Sequence, residues 1–200
     1  RDRLWARAMA LSDGDRTLVL AECDLIGTTL EITRRVRGLV AEGAGLPAEA
    51  VMVHCTHTHS GPSVGEIVGW GQPDQPYLEV LPHRIARACL AAVAALGEAR
   101  LSYALVPCEG IGLNREYDKD APPLEDVLRE DWRPAKPELT DTSCHVVTAT
   151  APDGSLLGFF SSFGCHPVVC CQETRYLHGD YAGVATNLIE REHPGAVGLF

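Results

Sequence analysis

The chain has 200 residues, 46% of them apolar, enough for one large domain with a buried core. Lys and Arg number 17 against 27 Asp and Glu, a net charge of −10, which disfavours nucleic acid and anionic membranes as partners because both reward clustered cations. No apolar run approaches the roughly 18–20 residues that span a bilayer, and no tract is repetitive or of low complexity.

Thr17 to Cys23 (TLVLAEC) predicts a short buried strand that ends at Asp24. Thr28 or Thr29 can cap the helix that follows, with Ile32, Val36, Leu39 and Val40 at helical spacing and Gly43 and Gly45 as stops. Val51 to Thr56 is a second strand, and it runs into VHCTHTHSGPSVG, with histidines at 54, 57 and 59. A glycine- and proline-rich loop containing Trp70 occupies 61–75. A second helix is expected from about Tyr77 to Leu96, with Leu78, Leu81, Ile85, Val93 and Leu96 on its apolar face.

Leu101 to Val106 reads as a third strand. From Gly112 to Thr140 the chain is polar and rich in proline, a length at which structureless loops are usually functional or disordered. Ser143–Thr150 and Ser155–Phe163 flank Pro152-Asp153-Gly154, a hairpin signal. Asp180–Glu192 is a predicted helix, and Ala196–Phe200 begins another strand. This order implies an α/β fold, a mixed β-sheet sandwiched by helices. With Arg at position 1 and a strand still running at Phe200, the expectation is one partial domain over 1–200, a fragment of a larger catalytic domain truncated at both ends.

Eight cysteines, at 23, 55, 89, 108, 144, 165, 170 and 171, include no CxxC and sit mostly in apolar stretches. They are expected to be free thiols. Zinc ligation by Cys170-Cys171 is disfavoured, because neighbours on a strand point to opposite faces. Free thiols fit a cytoplasmic setting, but the sequence leaves the compartment open.

In extended backbone, residues i and i+2 face one side. His57 and His59 can therefore project together just beyond a strand, where open α/β sheets hold their ligands. An H-x-H there suggests a metal site; the alternative is a pair of loop histidines bonded to backbone. His166, in FGCHPV, again follows a strand-type run and is followed by Pro167. His54 falls on the opposite side and reads as structural, His145 as packed within a strand, and His83 and His193 as solvent-facing. Asp24 could orient a ligand histidine through a hydrogen bond or merely serve a turn. Asp180 could do the same or simply cap a helix. Arg115, in GLNR, could hold a substrate oxygen or lie on the surface.

Taken together, THTHSGP (56–62), LAECDLIG before it, Asn114-Arg115, FGCHPV (163–168) and GDYAG (179–183) resemble the neutral/alkaline, non-lysosomal ceramidases and their bacterial relatives. The resemblance implies a zinc-dependent amidase fold, with Zn2+ held by His57 and His166, His59 handling a proton or supporting an oxyanion, and Arg115 orienting substrate. Further ligands, a glutamate and a tyrosine, and the serine segment of that family would lie beyond Phe200. Family membership would also fit a secreted protein. Two departures argue against ceramide itself: Ser63-Val64-Gly65-Glu66 and a short loop stand where ceramidases carry a long apolar insertion, and the second histidine motif continues Val168-Val169-Cys170-Cys171. The expected function is hydrolysis of an amide (N-acyl) or ester bond in a small-molecule or lipid-like substrate. A non-catalytic zinc or small-ligand binding protein is one rival. A barrel amidohydrolase with His57 and His59 both on metal is another, poorly matched by the hairpin at Asp153-Gly154.

Overall fold

The computed structural model describes residues 3–65, 67–116, 123–127, 129–134, 136–169 and 174–200. The fold is α/β with two mixed sheets. One has the order β1-β2-β3 and the other β4-β5-β6-β7.

The first sheet begins with a strand that the sequence reading did not anticipate. β1 (Ala6–Ser12) runs antiparallel to β2 (Thr17–Cys23). The turn between them is fixed by Asp13, whose carboxylate accepts from the amides of Asp15 and Arg16 at 3.0 and 2.8 Å. α1 (Leu30–Ala44) starts at Thr29, whose side chain accepts from the Ile32 amide at 3.2 Å, and stops at Gly45 in the left-handed conformation. Gly43 lies inside this helix, where an added Cβ would come 2.8 Å from the Leu90 side chain. It permits close approach to α2 (Gln75–Ala94) rather than ending α1. β3 (Val51–Cys55) then pairs parallel to β2.

One face of this sheet, with Ala8, Val19, Ala21, Cys23 and Val51, is covered by Ile32, Val36 and Val40 of α1 and by Leu81, Ile85 and Cys89 of α2. This is the main core. Asp74 caps α2 by accepting from the Tyr77 amide at 2.8 Å, so the helix begins two residues earlier than expected. Leu96 falls outside it and is exposed.

β4 (Arg100–Pro107), β5 (Ser143–Thr150) and β6 (Leu156–Phe163) form an antiparallel meander. Between β4 and β5 lie a single helical turn, α3 (Leu124–Val127), and a 3-10 turn at Pro137–Leu139. α4 (Asp180–Glu192) leads into β7 (Val197–Leu199), parallel to β6. His145 is not packed within its strand: it is exposed, and its Nδ1 lies 2.8 Å from the hydroxyl of Tyr103.

The other face of the first sheet is polar where α4 meets it. The strand register aligns Arg7, Glu22 and His54. Arg7 donates to Asn187 at 2.7 Å and to Glu190 at 3.1 Å, both on α4. Glu190 also accepts from the Gly198 amide at 3.0 Å, and Glu22 accepts from the Phe200 amide. One buried cation thus ties the two sheets and α4 together. No helix among the described residues is long and apolar enough to cross a membrane.

Candidate metal centre

The segment after β3 alternates between anchoring and projecting residues. Thr56, Thr58 and Ser60 are buried, whereas His57 and His59 between them reach the surface. The Thr56 amide donates to the Cys23 carbonyl at 3.0 Å. The Thr58 hydroxyl donates to the His178 carbonyl at 2.9 Å and accepts from the Ser60 amide at 3.2 Å. The His178 amide in turn donates to the Ser60 carbonyl at 3.2 Å. His57 adopts φ 64°, a conformation that is uncommon outside glycine and clusters at functional sites.

The His57 ring is oriented by backbone. Its Nδ1 lies 2.6 Å from the Ile26 carbonyl. A carbonyl can only accept, so Nδ1 carries the proton and Nε2 keeps its lone pair. Ile26 belongs to the loop after β2, so the ends of two adjacent parallel strands build this corner of the site.

His166 arrives from the end of β6. The Val168 amide donates to the His166 carbonyl at 3.0 Å, a tight turn around buried Pro167. The first turn of α4 clamps the same segment: the Tyr181 hydroxyl donates to the Cys165 carbonyl, and the Val169 amide donates to Asp180 Oδ1 at 3.4 Å. The ring centroid of His166 is 4.9 Å from that of His57 and 4.7 Å from that of His59. One nitrogen from each of the three rings lies within 4.8 Å of the others.

No protein-family model matches the sequence, and no curated protein matches it significantly. Solved structures do. The neutral ceramidase from Pseudomonas aeruginosa superposes with a TM-score of 0.81 at 25% identity, over 99% of this chain and 32% of that one. A ceramidase complexed with C2 gives a TM-score of 0.80 at 24% identity, with the same coverage. This chain is ceramidase-like. It spans about a third of each of these two ceramidase chains, 32% in both cases.

In this ceramidase-like chain the histidine trio suits a metal ion. Nitrogens bound at about 2.0–2.1 Å in a tetrahedral site stand roughly 3.4 Å apart, so rings already within 4.8 Å need only a short inward movement. Burial, then the neighbouring imidazoles and Arg115, hold both His59 and His166 below the usual histidine range, with Asp180 opposing. Neutral imidazole is the ligand form. The Nε2 of His59 is buried without a hydrogen-bond partner, which fits a site meant for another group.

Arg115 is exposed, and its charge acts on both His59 and His166. Its loop is anchored through Asn114, which donates to the Leu139 carbonyl at 3.0 Å and accepts from the Glu116 amide at 3.1 Å. Gly112 passes so close to Cys165 that an added Cβ would meet its sulfur at 2.9 Å. The arginine loop therefore abuts the histidine loop.

Asp180 is 3% exposed, with φ 55°. Its amide donates to His178 Nδ1 at 3.1 Å, and its Oδ2 is buried without a partner. Asp24 is 1% exposed and accepts from the Trp5 amide at 2.8 Å and the Thr56 hydroxyl at 3.4 Å. It bonds the residue before His57, while the bond to the His57 ring itself comes from Ile26. His54 sits on the far side of the strand, its ring edge-on to Phe160 at 5.9 Å.

Two participants escaped the sequence reading. The Ile26 carbonyl is backbone and leaves no compositional signal. Trp70, noted only as a loop residue, brings its indole to 5.8 Å from the His59 ring while staying half exposed. Cys23, Cys55, Cys89, Cys108, Cys144 and Cys165 are free thiols, and Cys170-Cys171 lie outside the described residues.

Proposed function

We propose that this chain is part of a ceramidase-like catalytic domain that hydrolyses an amide (N-acyl) or ester bond with the help of Zn2+. The observation that carries the reading is the convergence of three imidazoles from two distant segments, with the His57 tautomer set by Ile26. His57 and His166 hold the metal. Bound there, zinc supplies a Lewis acid and lowers the pKa of its water to about 7.

The remaining residues serve binding and proton movement. His59, held neutral by burial and its neighbours, accepts or returns a proton at the scissile bond. Arg115 orients a substrate oxygen through its planar donor fork. Asp180 fixes the His166 loop through the Val169 amide, and Asp24 steadies Thr56 beside His57. The substrate is a small or lipid-like molecule with an acyl group.

Metal analysis of the full-length protein with His57→Ala and His166→Ala variants tests the ligand assignment. Zinc content unchanged in both would refute it. A screen of N-acyl and ester substrates tests the chemistry. Metal retained without turnover of any of them favours a zinc or small-ligand binding protein that keeps the fold. The equal closeness of His59 supports a second arrangement with three histidine ligands, which His59→Ala distinguishes by losing metal as completely as the other two.

A further inference from the structure

The ladder between β4 and β5 sets two thiols side by side. Cys144 pairs with Val106, and residues 106 and 108 share a sheet face because side chains alternate. The pairing continues past the end of β4, where the Cys108 amide donates to the Thr142 carbonyl at 2.8 Å. The Cys144 thiol is hydrogen-bonded to the Cys108 sulfur, and burial together with this neighbour pushes Cys144 above the ordinary thiol range. Both residues are partly exposed, unlike Cys23 and Cys89 in the core.

We propose that Cys108 and Cys144 form a disulfide that closes the base of the segment 109–143, the arm that carries Arg115. Diagonal neighbours on antiparallel strands have Cα atoms about 7–8 Å apart, and a disulfide needs roughly 4.4–6.8 Å. The shared sheet face set by the register turns both side chains to one side. Cys108 stands one residue beyond the last residue of β4, so its backbone can close the remaining gap with the strand pairing intact.

The oxidant is a small-molecule disulfide. The Cys108 thiolate attacks one sulfur of the reagent and expels a thiolate. Cys144 loses its proton to solvent, attacks the Cys108 sulfur of the mixed disulfide, and expels the second thiolate. Two protein thiols lose two electrons and two protons, and the reagent becomes two thiols. The cross-link removes loop freedom from the unfolded chain and keeps the arginine arm seated beside the histidines. Nothing in it depends on the bound metal.

The test treats the protein with oxidised glutathione at neutral pH, blocks residual thiols by alkylation, and maps peptides after digestion with trypsin and chymotrypsin. The expected product is a peptide pair joined through Cys108 and Cys144. Cys144→Ser should abolish it and trap glutathione on Cys108. Recovery of both residues separately alkylated, while another pair carries the cross-link, overturns the assignment. So does a Cys144→Ser protein with no adduct on Cys108.

Discussion

His57 donates its Nδ1 proton to the Ile26 carbonyl across 2.6 Å, so the orientation of one ring of the histidine trio is fixed by the backbone of the neighbouring strand's loop. The tautomer follows from that bond and is directly observable. In the metal-free protein, long-range nitrogen–proton NMR should show His57 as the Nδ1–H form. An Nε2–H signal would break the link between this geometry and ligation.

His59 and His166 are held below the usual histidine range, first by burial. Protonation competes with metal only when pH falls below the pKa of a ligand. Zinc affinity, followed by competition with a chromogenic chelator, should therefore persist at pH values where an exposed histidine pair has begun to release metal. A loss of affinity that starts above the unperturbed value of about 6.5 would contradict it.

Asp180 combines a left-handed backbone with buried acceptors. Asn tolerates φ 55° and keeps one acceptor oxygen, so Asp180→Asn should fold. It should bind zinc about 10- to 100-fold more weakly, the usual effect of disturbing the hydrogen bonds around ligands. Asp180→Val meets both problems, a β-branched residue at positive φ and lost bonds to Tyr181 and Val169, and should cost about 2–4 kcal/mol in urea denaturation. Equal zinc affinity in wild type and the Asn variant would leave Asp180 only a brace for the start of α4 through the Tyr181 amide.

How much of this was legible in one dimension depends on which force did the placing. α1 and α2 carry their core faces at helical spacing, and Thr29 stands as a cap before α1, so both helices are readable, although the sequence reading does not anticipate the Asp74 cap that starts α2 at Gln75. β1 hides, because Ala6-Arg7-Ala8-Met9-Ala10-Leu11 consists of good helix formers with little contrast between faces. Only pairing with β2 makes it a strand. The way the two sheets meet is equally non-local, resting on Arg7 reaching α4 and Glu22 reaching the amide of Phe200. At the site, the shared facing of His57 and His59 is expected from their i, i+2 spacing, but the strand ends at Cys55 and His57 is left-handed, so turn geometry rather than extended backbone presents them. The Ile26 carbonyl and the approach of Trp70 to His59 could not be read from the sequence, since both depend on where separate loops land.

Thr58 is the anchor that lets its two histidine neighbours face outward. Thr58→Val preserves shape but leaves the His178 carbonyl and the Ser60 amide short of a partner. The buried Ser60 amide and the half-buried His178 carbonyl lose a bond each, at about 1–3 kcal/mol for the fully buried one when unsatisfied. The variant should unfold at lower urea and bind zinc more weakly, because both histidines pivot on this residue. Unchanged denaturation would mean that water replaces the hydroxyl.

Glu22 supplies a pH dependence of stability separate from the histidines. Burial pushes its carboxyl up to about 8, against the pull of the Phe200 amide and Arg7, from 4.5 when free. Between those values the folded chain holds a proton at Glu22 that the unfolded chain has released. The stability that this provides is fully present below about pH 4.5 and is lost as pH rises through 8, by an amount on the order of a few kcal/mol. Glu22→Gln stays neutral and still offers an oxygen to the Phe200 amide, so its stability should be nearly independent of this proton. Urea midpoints of the two proteins should lie close together at pH 5 and diverge by pH 8, with the Gln variant the more stable. The opposite divergence would mean that Arg7, 3.6 Å from the carboxylate, overcomes the cost of burial and keeps Glu22 ionised.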